Sequence, residues 1–472
     1  MTDTELAALD ATQALALLRR GDLGALTYVD ALLRRLQPCE ALHAMTHVDA
    51  EGVRAAARLA DALPAADRGL LHGLPIVVKD NIDAAGLPCT AGSPALQAHR
   101  PARDADCVAP LRRAGALVLG KSNLHEFALG VTSGNAAYGA VRNPHAPNRI
   151  AGGSSGGTAA AIAARMAPVG LGTDTGGSIR IPAALCGVVG FRPSTGRWPA
   201  RGVVPISVPS RDTAAPMARS VADCALLDAV VCGDAPDLPV VTPRGLRLGV
   251  PRAFWTDLHA GLAGQLEGVL DRLAAAGVTL VPVSIESDLA TVGEVGLTIA
   301  MAENLPALRG YFADHDLPFN ARQLAAAIAS PDVRAIIDHL AQGGGPDAAA
   351  YASALSAVRQ QLQPAWARAF AHHAVDALLL PTTPLPAARI SESESVWMDD
   401  RPWPTFASYV RQCGPASVLG LPSISLPAGC VVEQGEQLPV GLMLDGPRGS
   451  DRRLLAIAAA LQPLLPTTPE PR

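Results

Sequence analysis

Lysine, serine and glycine residues occur in three short segments whose chemistry could support nucleophilic catalysis. The segments span residues 73–81, 152–157 and 172–182. The first places Lys79 directly after an apolar run, the second contains Ser154, and the third contains Ser178. A serine hydroxyl is a weak nucleophile that requires an adjacent base. Each segment alone is often structural, as a linker or a lysine at a strand end, but the three together indicate a specific site.

These three segments resemble the amidase signature family, and the resemblance implies that a lysine is the base, a second serine the relay and the Gly176-Gly177 loop an oxyanion hole. A neutral lysine amine can accept the serine proton. Free lysine has a pKa near 10.4, so burial must lower the pKa of the amine if it is to act as a base. The apolar run before Lys79 predicts such burial. A second serine can relay a proton because a hydroxyl both donates and accepts hydrogen bonds. The pair Gly176 and Gly177 would let successive N–H groups converge on one point without obstruction by Cβ atoms.

The rarity of lysine supports this interpretation. Of the 38 cationic residues only Lys79 and Lys121 are lysines, which leaves 36 arginines. A bias toward arginine in the coding sequence accounts for much of this imbalance. However, arginine stays protonated in proteins whereas lysine can lose its proton. A lysine that persists against the bias therefore indicates a position that arginine cannot fill.

Two other motifs invite different functions. The run from Gly115 to Ser122 matches the P-loop pattern, but its four inner residues form an apolar strand rather than a loop that could wrap phosphate. We therefore do not expect nucleotide binding, and we expect Lys121 at a strand end, where it helps to support a site.

The second motif is the nucleophile elbow G-x-S-x-G, which fits on Ser154 and again on Ser155. Histidines later in the chain could complete a triad, so residue order alone does not exclude an α/β-hydrolase. The apolar strand that should precede the elbow is missing, because residues 143–148 are rich in turn formers. The zincin pattern H-E-x-x-H does not occur in the sequence.

The resemblance to the amidase signature family is dense over about residues 71–225 and weaker over 376–455. It implies that Ser178 is the nucleophile, Ser154 a bridging serine with a cis peptide bond, and Lys79 the base. It implies an oxyanion hole formed by the backbone N–H groups of four consecutive residues, namely Thr175, Gly176, Gly177 and Ser178.

The resemblance also implies the fold: one large α/β domain with a mixed, twisted central sheet and helices on both faces. Within the single domain over 1–472 we expect four segments. These are a helical arm over 1–60, the signature core over 71–225, a variable helical region over 251–370 that shapes the substrate pocket, and a return to the core over 376–465.

Several residues near Ser178 have supporting roles in this interpretation. Ser155 adjoins the bridging serine, and Asp174 and Arg180 flank the nucleophile, where charge-assisted bonds would fix the loop. Arg192 stands where the family often has lysine, and we assign it no chemical role. The wording of residues 210–217 resembles family members that act on arylacetamides, such as indoleacetamide or mandelamide hydrolases.

Composition excludes several classes of function. Hydrophobic residues make up 49% of the 472 residues, so the chain can bury a large core. The net charge of −5 and the 4% aromatic content argue against a nucleic-acid partner. The eight cysteines lack metal-ligand or disulfide spacing, so we expect no metal and no cofactor. The uncharged stretch 413–432 contains prolines, so we expect buried strands rather than a membrane span, and a cytoplasmic protein.

Hydrophobic periodicity locates the elements. Spacing of i, i+3, i+4 and i+7 predicts two amphipathic helices joined by a turn at Gly21, both before residue 37. Short apolar runs predict buried strands in an α/β arrangement. The predicted strands are 74–78, 116–119, 167–171, 377–380, 424–426 and 440–444. A helix is predicted over 158–165, and residues 258–370 are expected to be mostly helical.

Substrate choice should depend on residues outside the shared core. Aromatic side chains could form the wall of an apolar pocket, although a role in the core is equally open for each. The candidates are Phe127, Tyr138, Trp397, Trp403 and Phe406. The helical stretch around Met301 to Tyr311 could close over such a pocket.

The sequence thus predicts a metal-independent serine hydrolase that cleaves the C–N bond of a small aryl or apolar amide or carbamate through an acyl-enzyme on Ser178. Ester hydrolysis by the same fold stays open, as does a non-catalytic role as an amidotransferase-type subunit of a larger complex. The expected partner is the small-molecule substrate, and a homodimer is compatible with this interpretation.

Overall fold

A computed structural model describes residues 1–285, 289–398 and 401–471. Its strands, in chain order, are β1 (Met45–Val48), β2 (Pro75–Lys79), β3 (Leu117–Ser122), β4 (Arg142–Asn143), β5 (Ala146–Ile150), β6 (Val169–Asp174), β7 (Val189–Arg192), β8 (Thr213–Ala218), β9 (Arg247–Pro251), β10 (Thr279–Val283), β11 (Ala377–Pro381), β12 (Ser395–Met398), β13 (Arg401–Pro404), β14 (Ser423–Glu433) and β15 (Glu436–Asp445).

The helices are α1 (Asp3–Ala8), α2 (Ala11–Arg20), α3 (Ala25–Leu36), α4 (Ala50–Asp61), α5 (Ala109–Arg113), α6 (Gly156–Ala163), α7 (Arg180–Cys186), α8 (Val221–Cys232), α9 (Ala260–Ala275), α10 (Leu289–Asp314), α11 (Ala321–Ala327), α12 (Pro331–Ala341), α13 (Ala348–Ala357), α14 (Gln363–His373), α15 (Thr405–Val410), α16 (Gly414–Leu419) and α17 (Asp451–Leu461).

A mixed sheet runs through the whole molecule. Among the described residues it has 11 strands, in the order β1-β3-β2-β6-β8-β7-β14-β15-β11-β9-β10. Strands β3, β2 and β6 are parallel neighbours, whereas β6, β8, β7, β14 and β15 pair antiparallel. Helices flank the sheet, so the predicted α/β class with one large mixed sheet is confirmed.

The centre of the sheet positions the candidate chemistry. All five residues of β2 and all six of β6 are buried, as expected for strands covered on both sides. Their parallel register pairs Val78 with Leu171, so Lys79 and Thr173 emerge at the same edge. Helix α6 begins at Gly156, directly after the serine-rich segment. The three segments that the sequence singled out therefore meet at one end of the central strands.

Some elements differ from the sequence expectation. The N-terminal arm is not only helical, because β1 adds an edge strand antiparallel to β3. Strand β3 runs through Lys121 to Ser122, so the P-loop pattern lies on extended backbone, as anticipated. The region expected to be mostly helical contributes β10, which pairs in parallel with β9. The described portion of the chain contains no helix with the length and hydropathy needed to cross a bilayer.

Candidate active site

Lys79 ends β2 with a side chain that has no exposure to solvent. Its Nζ lies 2.7 Å from Ser154 Oγ and 2.7 Å from Thr173 Oγ1. Burial lowers the pKa of Lys79 well below its ordinary value, and the negative charges of Asp174 and Asp212 oppose this shift only in part. The amine is therefore placed to exist in its neutral form, which a proton acceptor requires.

Ser154 is also fully buried, and it lies in a tightly packed loop. The Gly153–Ser154 peptide bond is cis, as the family resemblance implied. A Cβ on Gly153 would lie 2.9 Å from the backbone of Val131 and Ser133, which explains why glycine occupies this position. The Ser133 hydroxyl donates to the Gly152 carbonyl at 2.8 Å and so fixes the loop.

Ser155 joins the two serine-containing loops. Its N–H donates to the Ser178 carbonyl at 3.1 Å, and its hydroxyl donates to the Thr173 carbonyl at 3.1 Å. The hydroxyl also accepts the Thr173 N–H at 3.2 Å. These bonds hold the segment of Ser154 against the end of β6 and against the segment of Ser178. Ser155 thus lies where a supporting residue would be needed.

Ser178 differs from its neighbours in exposure. It keeps 8% of its surface accessible, whereas Lys79 and Ser154 have 0%. A nucleophile must reach an incoming substrate, while a base and a relay need only reach the nucleophile. The difference in burial therefore suits Ser178 to attack and Ser154 to proton transfer.

Asp174, at the end of β6, organises the loop that carries Ser178. Its carboxylate accepts N–H groups from Gly177 at 2.9 Å and Ile179 at 3.2 Å, and it pairs with the buried Arg180 through two bonds of 3.0 Å. Arg192 adds a third guanidinium contact at 3.0 Å. Burial alone would raise the pKa of Asp174, but the two arginines outweigh burial and lower it.

Arg192 therefore has a clear structural role, which the sequence alone did not reveal. Its guanidinium also donates to the Asp174 carbonyl at 2.5 Å and to the Arg211 carbonyl at 2.8 Å. Because β7 comes close to β6 only in the folded sheet, where β8 lies between them, no local spacing signalled this contact.

One of the four expected oxyanion donors is already engaged. The Gly177 N–H is committed to the carboxylate of Asp174, so the candidate set is reduced to the N–H groups of Thr175, Gly176 and Ser178. The φ angle of Gly177 is 128°, and a Cβ there would lie 2.6 Å from Cys413 Cβ. Both restrictions call for glycine at this position.

A pocket adjoins this arrangement beside Thr173. Polar groups of Asn81, Thr175 and Asp212 line it together with apolar side chains that include Val204. Thr175 Oγ1 donates to Asp212 at 2.5 Å, and Asn81 Oδ1 is buried without a partner among the described residues. Burial raises the pKa of Asp212. The cavity has a volume of about 10 Å³, which is room for about one water molecule and is too small for an aryl amide.

Two further cations lie near the site, of which the sequence placed only Lys121, as a supporting residue at the end of a strand. Arg211 is 94% buried, donates through Nη1 to the Gly296 carbonyl at 2.5 Å, and ties α10 to the start of β8. Burial lowers the pKa of Arg211 to about 10. Lys121 is fully buried and donates to the carbonyl oxygens of Ile82 at 2.7 Å and Pro88 at 2.9 Å, which fixes the loop after Lys79.

The predicted aromatic residues do not line the pocket beside Thr173. Phe127 is 1% exposed and belongs to a buried apolar cluster, in agreement with its alternative role in the core. Tyr138 and Trp403 are partly buried, and Trp403 packs against a second apolar cluster. Trp397 and Phe406 are 65% and 53% exposed. A substrate contact by any of the five stays a prediction.

The chain is similar in sequence to known amide hydrolases. The Amidase family profile matches residues 27–455. An indoleacetamide hydrolase from Agrobacterium vitis is 42% identical over 451 residues, which cover 95% of this chain and 96% of the relative. A mandelamide hydrolase from Pseudomonas putida is 39% identical over 482 aligned positions, which cover 98% and 92% of the two chains.

A solved structure agrees with the sequence relatives. The native peptide amidase from Stenotrophomonas maltophilia superimposes with a TM-score of 0.84 at 32% identity, and the match covers 98% of each chain. The profile match extends over most of the sequence, and each of these relatives is aligned over nearly its whole length. The chain belongs to the amidase signature family and is an amidase acting on amides.

Proposed function

We propose that the protein hydrolyses a small aryl or apolar amide through an acyl-enzyme on Ser178. The observation that carries this proposal is the buried amine of Lys79, which lies 2.7 Å from Ser154 Oγ and has a pKa lowered by burial. A neutral amine in this place can receive a proton that a hydroxyl relays, which is the activation that a serine nucleophile requires.

In the proposed reaction, Ser178 Oγ attacks the amide carbonyl carbon while its proton passes to Ser154 Oγ, and the Ser154 proton passes to Lys79 Nζ. The carbonyl π-electrons move to oxygen, where N–H groups of the 175–178 loop stabilise the negative charge. One such donor is worth about 3–4 kcal/mol of barrier. The C–N bond then breaks, and the relay returns the proton to the leaving nitrogen.

Water completes the cycle by the same relay. It attacks the acyl carbon, its proton moves to Ser154 and from there to Lys79, and the tetrahedral adduct collapses with cleavage of the bond to Ser178 Oγ. The proton returns to Ser178, which leaves a carboxylic acid and the free enzyme. Every step uses side chains of this chain and water only, which is the basis for proposing a metal-independent mechanism.

The proposed substrate class is an arylacetamide. Two relatives at about 40% identity are named for indoleacetamide and mandelamide, which share an aromatic group next to the amide. The cavity beside Thr173 has a volume of about 10 Å³ and cannot hold an aryl group, so the similarity to these relatives is what supports this substrate class.

A substrate panel tests the proposal. The purified chain, without partner subunits, is assayed on indole-3-acetamide, mandelamide, an aliphatic amide, and matched aryl esters and carbamates, with Ser178→Ala as the matched control. We expect turnover of the aryl amides that EDTA does not abolish. Turnover of esters or carbamates alone would move the substrate class away from amides, and amide hydrolysis that survives in Ser178→Ala would refute the acyl-enzyme.

A further inference from the structure

Three potential metal ligands lie together outside the serine and lysine groups. Asp83, His99 and His315 each offer one ligand atom, and these atoms lie within 4.8 Å of one another. Asp83 follows β2, His99 belongs to a loop, and His315 follows directly after α10. Asp83 and His99 are buried and His315 is largely so, yet all three line a cavity of about 610 Å³ through which an ion could enter.

The surroundings fix the donor atoms of His315 and Asp83, whereas His99 Nε2 lies 3.0 Å from the Tyr311 hydroxyl and would exchange this hydrogen bond for the ion. His315 Nδ1 donates to the Tyr311 carbonyl at 2.9 Å, so its Nε2 is the nitrogen left to face Asp83, at 2.7 Å from Oδ2. The other oxygen of Asp83 accepts the Tyr311 hydroxyl at 2.7 Å. Metal-binding histidines characteristically donate their second ring nitrogen to a carbonyl, and metal-binding carboxylates are themselves hydrogen-bonded. Both features are present before any ion binds.

We propose that Asp83, His99 and His315 bind one transition-metal dication of the Zn²⁺ class, with water completing the coordination. Two imidazoles and a carboxylate are a donor set that suits Zn²⁺. His315 Nε2 and Asp83 Oδ2 are 2.7 Å apart, whereas an ion bonded to both at about 2.0–2.2 Å would hold them about 3.3 Å apart. Binding therefore replaces their hydrogen bond: the two side chains separate, and the His315 Nε2 proton is released to solvent as the ion enters. It is not part of the hydrolytic relay.

The consequence of binding is mechanical. The ion links the end of α10 to the loop that leaves Lys79, two parts of the chain now joined through Tyr311 and His315 to Asp83. Helix α10 also accepts the Arg211 guanidinium at Gly296. Metal binding therefore stabilises the packing of the variable helical region on the core, and it raises the melting temperature without changing the chemistry at Ser178.

Calorimetric titration with Zn²⁺ on chain purified without a polyhistidine tag tests this site. We expect binding of about one ion per chain and a rise in melting temperature that EDTA reverses. His315→Gln and His99→Gln should each lose both effects. The double variant His372→Gln with His373→Gln removes an adjacent histidine pair elsewhere and should retain both effects. Absence of Zn²⁺ binding in the wild type, or its loss only in the control, overturns the proposal.

X-ray absorption on the Zn²⁺-loaded wild type gives a result that does not depend on the folding of any variant. We expect two imidazole ligands at about 2.0–2.1 Å and oxygen in the rest of the shell. A shell with sulfur, or without histidine, overturns the assignment. Amide hydrolysis at 25 °C should be equal with and without the ion, so failure of this site and failure of the proposed hydrolase activity give different results.

Discussion

The Lys79 amine and the Ser154 hydroxyl lie 2.7 Å apart, and neither side chain is exposed to solvent. Thr173 Oγ1 is the second neighbour of the amine at 2.7 Å. A lysine held by two hydroxyls, with carboxylates farther away, differs from one that forms a structural ion pair. The surroundings of Lys79 therefore suit an amine that accepts and releases a proton better than one that stays charged in an ion pair.

Replacement of Lys79 by arginine tests this distinction. The chain uses arginine for almost every other cation, but a guanidinium stays protonated and cannot receive the serine proton. We expect kcat/KM to fall by at least about 10²-fold, the lower range for loss of a general base. Circular dichroism should show a folded protein. A variant that keeps more than about a tenth of the wild-type rate would contradict the role of Lys79.

Lys121→Arg is the matched control, since it changes the second of the two lysines. Lys121 Nζ donates to two backbone carbonyls and lies 3.3 Å from Asp80 Oδ1, so its role is to hold a loop. We expect its replacement to lower the melting temperature and to reduce the rate far less than Lys79→Arg. Equal rate losses in the two variants would mean that the Lys79 effect is structural.

The lowered pKa of Lys79 also predicts a pH dependence. The rate requires the neutral amine, so kcat/KM should rise with pH and level off above a value well below that of free lysine. Between the folded and unfolded pKa values only the unfolded chain binds this proton. The contribution of Lys79 to the free energy of unfolding therefore rises with pH across that window. Urea unfolding of wild type and Lys79→Met should show this slope only in the wild type.

The two serines should respond differently to substitution and to labelling. Ser178 retains solvent access and Ser154 does not, so a fluorophosphonate should modify Ser178 alone. Ser178→Ala should abolish turnover, whereas Ser154→Ala should leave a small residual rate because Ser154 relays protons without forming an acyl bond. Mass spectrometry of the labelled peptides decides the point. Modification of Ser154 or Ser155 in the wild type would support the elbow interpretation instead.

The buried charges around Asp174 predict a large effect on stability. Asp174→Asn removes the counter-charge from Arg180 and Arg192, both fully buried, and breaking such a buried network costs about 3–5 kcal/mol. Urea unfolding measures the loss. Asp106→Asn removes the partner of the exposed Arg201 and should have a much smaller effect. Similar losses of unfolding free energy in both variants would mean that the buried network contributes no more to stability than an exposed ion pair.

The candidate site residues and the strands that carry them were easier to predict from the sequence than the neighbouring strands of the sheet. Lys79, Ser154 and Ser178 were predicted because their segments carry a specific pattern, and the structure brings Lys79 and Ser154 into contact. The strands beneath them were predicted because β2 and β6 are short apolar runs. Strand β1 was missed because its four residues are all partly buried and show no alternation. Strand β8 was missed because its six residues include three alanines and Pro216, a composition that is weak for a strand.

Contacts between distant segments account for the other omissions. Thr173 touches Lys79 across 94 positions, and His315 reaches Asp83 across 232. No motif of fixed spacing describes such pairs, because they form only when the sheet order brings their strands and loops together. The expectation of no metal ligands followed from the spacing of residues along the sequence alone. Asp83, His99 and His315 are far apart in the sequence and match no motif of fixed spacing.

The aromatic side chains on and after the β12–β13 hairpin carry the last prediction. Trp403 packs one face on a buried apolar cluster, while Trp397 and Phe406 are more than half exposed. A bound aryl group would give these exposed side chains an apolar contact. We therefore expect Trp403→Ala and Phe406→Ala to change the kcat/KM ratio of indole-3-acetamide to an aliphatic amide by about tenfold or more. Leu59→Ala removes a still more exposed apolar side chain on α4 and should leave the ratio unchanged. If both aromatic variants instead lose the same proportion of rate on every substrate and also melt at a lower temperature, these residues serve the packing of the hairpin and not the recognition of the substrate.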